Sequence, residues 1–133
     1  MKPFPYAVGI GIDICQISRI GRILDGPRRG RFLCRVLAPE ERRREAARLE
    51  KGSSSAVFVA GRFAAKEAAM KALSQRRRLG WHDVVIDRYD DGRILARIVG
   101  EKVEGGGDED EGALVSISHD GDYATAVCVA HTG

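Results

Sequence analysis

In YAVGIGIDI, residues 6 to 14, isoleucines at 10, 12 and 14 alternate with Gly9, Gly11 and Asp13. A period of two predicts a strand, and its glycines would let a second backbone approach closely. From Gln16 the period lengthens. Ile17, Ile20, Ile23 and Leu24 recur at helical spacing, with Arg19 and Arg22 on other faces, until Gly26-Pro27 stops the turn. A second short helix is predicted from Arg31 to Val36. A third opens at Pro39, with Glu40 and Glu41 in its first turn. GSSS at 52 to 55 breaks that helix and offers a serine cap for the longest one, Ala56 to about Ser74. Two hairpins follow. DVVIDRY and RILARIV flank Asp90-Asp91-Gly92, and ALVSISH and YATAVCVA flank Asp120-Gly121-Asp122. The pattern describes one α+β domain over residues 1–133, an antiparallel sheet packed on one long central helix, with no internal repeat.

Composition narrows this picture. At 133 residues the chain can bury a proper core, yet it is close to the size at which a subunit interface helps. No apolar run approaches the roughly 18 to 20 residues a membrane span needs, so a soluble protein with no membrane partner is expected. The opening MKPFPYAVGIGIDI is too short in its apolar part for a secretory signal and lacks the Arg/Ser-rich character of a transit peptide. Cys15, Cys34 and Cys128 have no CxxC spacing and suggest free thiols in a reducing compartment. The net charge of +3 is unevenly spread: residues 19 to 51 hold eleven Lys/Arg against five Asp/Glu, a local excess of six. That half could meet an acidic partner. EGGGDEDEG, residues 104 to 112, reads instead as a mobile, solvated acidic loop.

The candidate chemistry lies in FAAKEAAMKAL, residues 63 to 73. On a helical wheel Ala64, Ala65, Ala68, Ala69 and Ala72 share one side, with Phe63 and Met70 opposite. Glu67 and Lys71 occupy one border and are spaced for an intrahelical ion pair; Arg62 and Lys66, on the other, are like charges that a nearby anion would reconcile. Asp13, at the end of an apolar strand, requires a cap, a partner or a cation. An Asp and a Glu from different elements, beside several cations, suit magnesium and a phosphorylated ligand. His119 at a strand end fits either hydrogen-bonded structure or a site residue. There is no Walker loop, GxSxG elbow or HExxH motif, and the basic region lacks the interleaved aromatics of a single-strand binder. A nucleic-acid-binding domain and a non-catalytic binding module are the rivals to an enzyme.

GIDICQISRI, GRFAAKEAAMKAL about fifty residues later and SISHDGDYATAVCVA near the end, with FLCRVLAPEE between, resemble in order and spacing the holo-[acyl-carrier-protein] synthases. These are the small, single-repeat class of 4'-phosphopantetheinyl transferases. The resemblance implies transfer of 4'-phosphopantetheine from coenzyme A to a serine hydroxyl of apo acyl carrier protein, releasing adenosine 3',5'-bisphosphate. It implies the 4'-phosphopantetheinyl transferase fold as a homotrimer with interfacial active sites, and no nucleic acid as partner. Carried onto this chain, Asp13 and Glu67 would hold Mg²⁺ with the coenzyme A pyrophosphate, and Lys71 would reach the same phosphates. Arg62, Lys66, Ser74 and His119 would complete the coenzyme A contacts. Arg19, Ile20, Arg22, Ile23 and Arg28 would dock the acidic carrier protein. Gln16 stands where an acid is common, and the loop from 104 to 112 resembles an insertion. WHDVVI has a weaker likeness to fungal mitochondrial members, so bacterial cytoplasm and mitochondrial matrix are both expected compartments.

Overall fold

The computed structural model describes residues 1–133, the side chain of Ser53 excepted. Strand β1 (Val8–Gln16) leads directly into helix α1 (Ile17–Asp25), followed by α2 (Arg29–Val36), α3 (Pro39–Arg44) and the long α4 (Ser53–Ala72). Strands β2 (Val84–Arg88), β3 (Ile94–Ile98), β4 (Lys102–Val103), β5 (Gly106–Gly107), β6 (Glu111–Asp120) and β7 (Tyr123–His131) complete the chain. Five strands form one antiparallel sheet in the order β1-β7-β6-β3-β2, and β4 pairs with β5 as a two-stranded appendage. Gly92 and Gly121 take positive φ (88° and 56°) at the tips of the two predicted hairpins, where a side chain would be strained.

Helix α4 lies across one face of the sheet, and its five alanines explain how closely. Ala64, Ala65, Ala68, Ala69 and Ala72 are all buried against β1 and β7. Opposite them, a Cβ built on Gly9 or Gly11 would sit 1.9 Å from the carbonyl oxygen of Ala72 or Ala68 respectively. The strand and helix backbones therefore touch along a seam where no side chain fits. In β1 the odd residues face α4, while Val8, Ile10, Ile12 and Ile14 face outward and are exposed.

Several boundaries differ from expectation. Helix α4 begins at Ser53, with Gly52 rather than a serine at its N-cap position. The Ser55 N–H and Oγ both donate to the Gly52 carbonyl (3.2 and 2.8 Å), so the serine run is drawn into the first turn. The third helix ends at Arg44 and continues only as a short 3₁₀ turn, Ala46–Leu49. The acidic loop is not featureless: its β5 pairs back onto β4 just before it, and its C-terminal end is tied down. Asp110 accepts from Gly100 N–H (2.9 Å) and Arg97 (3.2 Å), and Glu111 takes both terminal nitrogens of Arg76 at 2.9 Å.

Candidate active site

The α4 seam sets the site by bringing the end of β1 alongside the helix. Asp13 follows the glycines on the inward side of β1, and its carbonyl accepts from Thr125 Oγ1 of β7 (2.8 Å). Glu67, half-buried on α4, lies beside the Asp13 carboxylate; burial first, and that carboxylate second, push its carboxyl above the ordinary glutamate range. Lys71, one turn on, donates to Ile12 O (2.9 Å) and Asp13 Oδ1 (3.1 Å). It is thus paired across to the strand, and the expected intrahelical pair with Glu67 does not form among the described residues. The physical reason is proximity: the seam puts a carboxylate and a free carbonyl within reach of one ammonium.

Two carboxylates with one lysine between them leave negative charge to be balanced. The donor set is hard oxygen only, and Glu67 holds its proton more tightly because Asp13 is near, a cost that a small divalent cation would relieve. Among the described residues no group of three or more His, Cys, Asp and Glu gathers anywhere, so the donors here are a pair and no more. Magnesium fits the pair because it is held by one or two carboxylates and completes its shell with phosphate oxygens and water.

A cleft of about 400 Å³ opens beside Glu67, with Phe32, Phe63 and Trp81 as apolar wall and Arg19 and Arg28 at its basic side. The aromatic rings pack in sequence, Phe32 on Phe63 (centroids 6.0 Å) and Phe63 on Trp81 (4.9 Å). Arg19 lies over Phe63 at 5.8 Å, so the first helix and α4 share this wall. Arg22 is exposed on α1 and Ile23 is half-buried, whereas Ile20 is 1% exposed. Ile20 is therefore a correction: its apolar side chain joins Leu24 in the core under α1 and, though it borders the Glu67 cleft, is too buried to present a docking face.

A second cleft, about 500 Å³, brings Arg62 of α4 together with His119 at the end of β6. Arg62 stacks on Phe58 (4.6 Å), and Arg48 lies over the same ring at 5.3 Å. Arg62 is nearly buried and makes no hydrogen bond among the described residues; burial depresses its guanidinium, which as an arginine still stays charged at neutral pH. Gly61 lines the cleft, where a Cβ would meet Ile117 at 3.0 Å. Arg48 and Phe58 escaped the sequence reading, although Phe58 and Arg62 are four apart on one helix, the spacing that would have signalled the stack. Ser74 is exposed just past α4, its Oγ donating to Lys71 O (3.0 Å), and lines a third cleft with Lys71, Phe4 and Ile10.

Lys66 is the second correction. Expected at the coenzyme, it is 0% exposed. Its ammonium donates to Glu41 Oε1 (2.5 Å), Val36 O (2.8 Å) and Trp81 O (3.0 Å), which uses all three protons within the chain. Glu41 is equally engaged, accepting from Ala38 N–H (2.9 Å) and Ile86 N–H (3.0 Å). The like charge of Arg62 is thus answered from within, by Glu41 on α3, and no external anion is required at Lys66.

Fold, paired carboxylates and basic clefts define the class. The chain belongs to the 4'-phosphopantetheinyl transferase superfamily, whose family model matches residues 9–128, and it is an enzyme of that class. Within it the similarity is to the holo-[acyl-carrier-protein] synthases. The holo-[acyl-carrier-protein] synthase of Myxococcus xanthus is 42% identical over 123 residues, covering 91% of this chain and 92% of the relative. The 4'-phosphopantetheinyl transferase B, mitochondrial, of Aspergillus fumigatus is 38% identical over 147 residues, covering 96% of each. Among solved structures, the holo-(acyl-carrier-protein) synthase of Bacillus anthracis in complex with CoA (3',5'-ADP) superposes with a TM-score of 0.70 at 32% identity, covering 94% of this chain and 96% of that one.

Proposed function

We propose that this chain transfers 4'-phosphopantetheine from coenzyme A to the serine hydroxyl of an apo acyl carrier protein, with Mg²⁺ held by Asp13 and Glu67. The observation that carries this reading is the apposition of Asp13 on β1 and Glu67 on α4, with Lys71 bonded to the strand beside them. In the reaction a bond forms between the serine oxygen and the phosphorus that bears pantetheine. The bond from that phosphorus to the bridging pyrophosphate oxygen breaks, adenosine 3',5'-bisphosphate leaves, and the serine proton is lost. When bound, the cation neutralises charge on the pyrophosphate oxygens. Asp13 and Glu67 orient it from two elements held rigidly against each other, and Lys71 turns from Asp13 toward the leaving phosphate. Arg62 and His119 take the nucleotide end of coenzyme A, with Arg48 as a further cation in the same cleft. Ser74 is assigned to the coenzyme through its place beside Lys71.

Carrier docking falls to the exposed face of α1 and the turn after it. Arg19, Arg22 and Arg28 supply charge complementary to an acidic protein, and Ile23 the apolar contact. The outward face of the sheet supports the oligomer: Ile10, Ile12, Ile14 and Leu114 are each 65–72% exposed, a contiguous apolar patch that a second copy would cover. A homotrimer is the reading taken from the resemblance, with the neighbour completing the coenzyme cleft. The free cysteines suit a reducing compartment. No described helix is long and apolar enough to cross a membrane.

The test is incubation of the chain with apo carrier protein, coenzyme A and Mg²⁺, followed by intact mass of the carrier. Addition of phosphopantetheine is expected, and absence of modification on bacterial and mitochondrial carriers alike would refute the reading. Asp13→Ala and Glu67→Ala should each abolish turnover while circular dichroism shows the fold retained. Full activity in either variant removes the metal assignment.

A further inference from the structure

The first turn of α1 has an unusual source of caps. A helix leaves its first N–H groups without intrahelical acceptors, and a side chain just before the helix commonly takes one of them. Gln16, at the N-cap position, makes no side-chain cap bond, and the first turn contains no acidic residue. Instead both leading donors are met from the β6–β7 turn, more than a hundred residues away. Ile17 N–H donates to the Asp122 carbonyl (2.7 Å), and Ser18 N–H to Asp122 Oδ1 (2.9 Å). The Ser18 hydroxyl donates to Asp122 Oδ2 at 2.6 Å, so both oxygens of one carboxylate are committed to one residue of the helix.

The position of this clamp gives it a consequence. Ser18 immediately precedes Arg19, whose guanidinium is aimed back at Cys15 Sγ (3.8 Å) and over Phe63 (5.8 Å), on the wall of the Glu67 cleft. Asp122 closes the turn that begins just after His119, at the edge of the Arg62 cleft. A single aspartate therefore ties the helix carrying the docking arginines to the hairpin that carries the nucleotide-side histidine. We propose that Asp122 is a positioning residue for carrier-protein docking: by capping α1 from the β6–β7 turn it sets the attitude of Arg19 and Arg22 toward the Asp13–Glu67 site. This rests on the carrier-docking role assigned above to α1. Both Asp122 carboxylate oxygens are taken up by Ser18 and the residue lines none of the clefts described above, so its effect falls on the substrate that α1 docks and spares the other.

Steady-state kinetics of the full chain, varying apo carrier protein and coenzyme A separately, test this with Asp122→Ala, Asp122→Asn and Ser18→Ala. Asp122→Ala is expected to raise the KM for carrier about fivefold, the size of one lost cap, with kcat and the KM for coenzyme A unchanged. Ser18→Ala keeps the backbone cap and should give a smaller rise. Asp122→Asn should restore the wild-type value, since its amide oxygen accepts from Ser18 N–H and its amide nitrogen donates to Ser18 Oγ. An unchanged carrier KM in Asp122→Ala overturns the proposal. So does a parallel change in both KM values and kcat, which would mark general loosening. Failure of the underlying reading looks different: the unsubstituted chain would then modify no carrier at all, and the proposal falls with it.

Discussion

Glu67 is the residue at which structure and chemistry conflict most. Its carboxyl is raised by burial and by the Asp13 carboxylate, so in the metal-free protein the ionised form carries a cost that the unfolded chain does not. The sign follows from the raised value. Protonated Glu67 favours the folded state, an advantage complete below the unfolded glutamate pKa of about 4.3 and lost as pH rises through the higher folded value. Glu67→Gln removes that cost. Thermal melting of the metal-free variant is expected to exceed wild type at pH 7, the difference closing by about pH 4, while turnover is lost. A variant melting no higher at pH 7 would show that Asp13 and burial do not burden Glu67. In the sequence the charges of Asp13, Glu67 and Lys71, in an apolar strand and an alanine helix, asked for an explanation, and the resemblance supplied the roles proposed for them. Lys66 was not. A helical wheel places it beside Arg62, but only the tertiary fold brings the carbonyls of Val36 and Trp81 and the carboxylate of Glu41 around its ammonium.

At the scale of elements, the alternating strand, the alanine helix and both hairpins could be read from period and turn chemistry, and glycines at 9 and 11 announced the close approach. Helix ends were harder, because hydrogen bonds such as Ser55 to Gly52 compete within a single turn. The cap of α1 could not be found by inspecting its neighbours, since its acceptor lies at Asp122. The seam makes a clear prediction. In Gly11→Ala the new methyl meets a backbone oxygen that cannot move aside, so β1 must lift from α4 and carry Asp13 with it. Urea unfolding should show a loss of about 1–3 kcal/mol, with turnover reduced beyond what the folded fraction explains. The Lys66–Glu41 pair joins the end of α2, α3, α4 and β2 from within. Lys66→Met leaves the Glu41 carboxylate buried and unpaired, and is expected to cost about 3–5 kcal/mol. The KM for coenzyme A of the protein that remains folded should not change, whereas a rise would return Lys66 to the coenzyme.

For the molecule as a whole, β1 serves two surfaces. Asp13 and the glycines look toward α4, and Ile10, Ile12 and Ile14 look outward to the face where a second copy is proposed to sit. Ile12→Asp should therefore lower the sedimentation coefficient of the proposed trimer toward that of a monomer, and an unchanged value would place the interface elsewhere. Composition, with its ordinary apolar content, gives no sign of this surface; the alternation of Ile10, Ile12 and Ile14 along β1 puts them on one side of the sheet. The same pleat has a consequence for how the protein is counted. A shift of β1 by one residue against β7 would drive isoleucines into the seam and turn Asp13 to the outside, losing the core and the chemistry in the same event. A mispaired chain is therefore never a well-folded but inert one. In a fully assembled preparation the number of competent sites should equal the number of native molecules, so a titration of one is a census of the other.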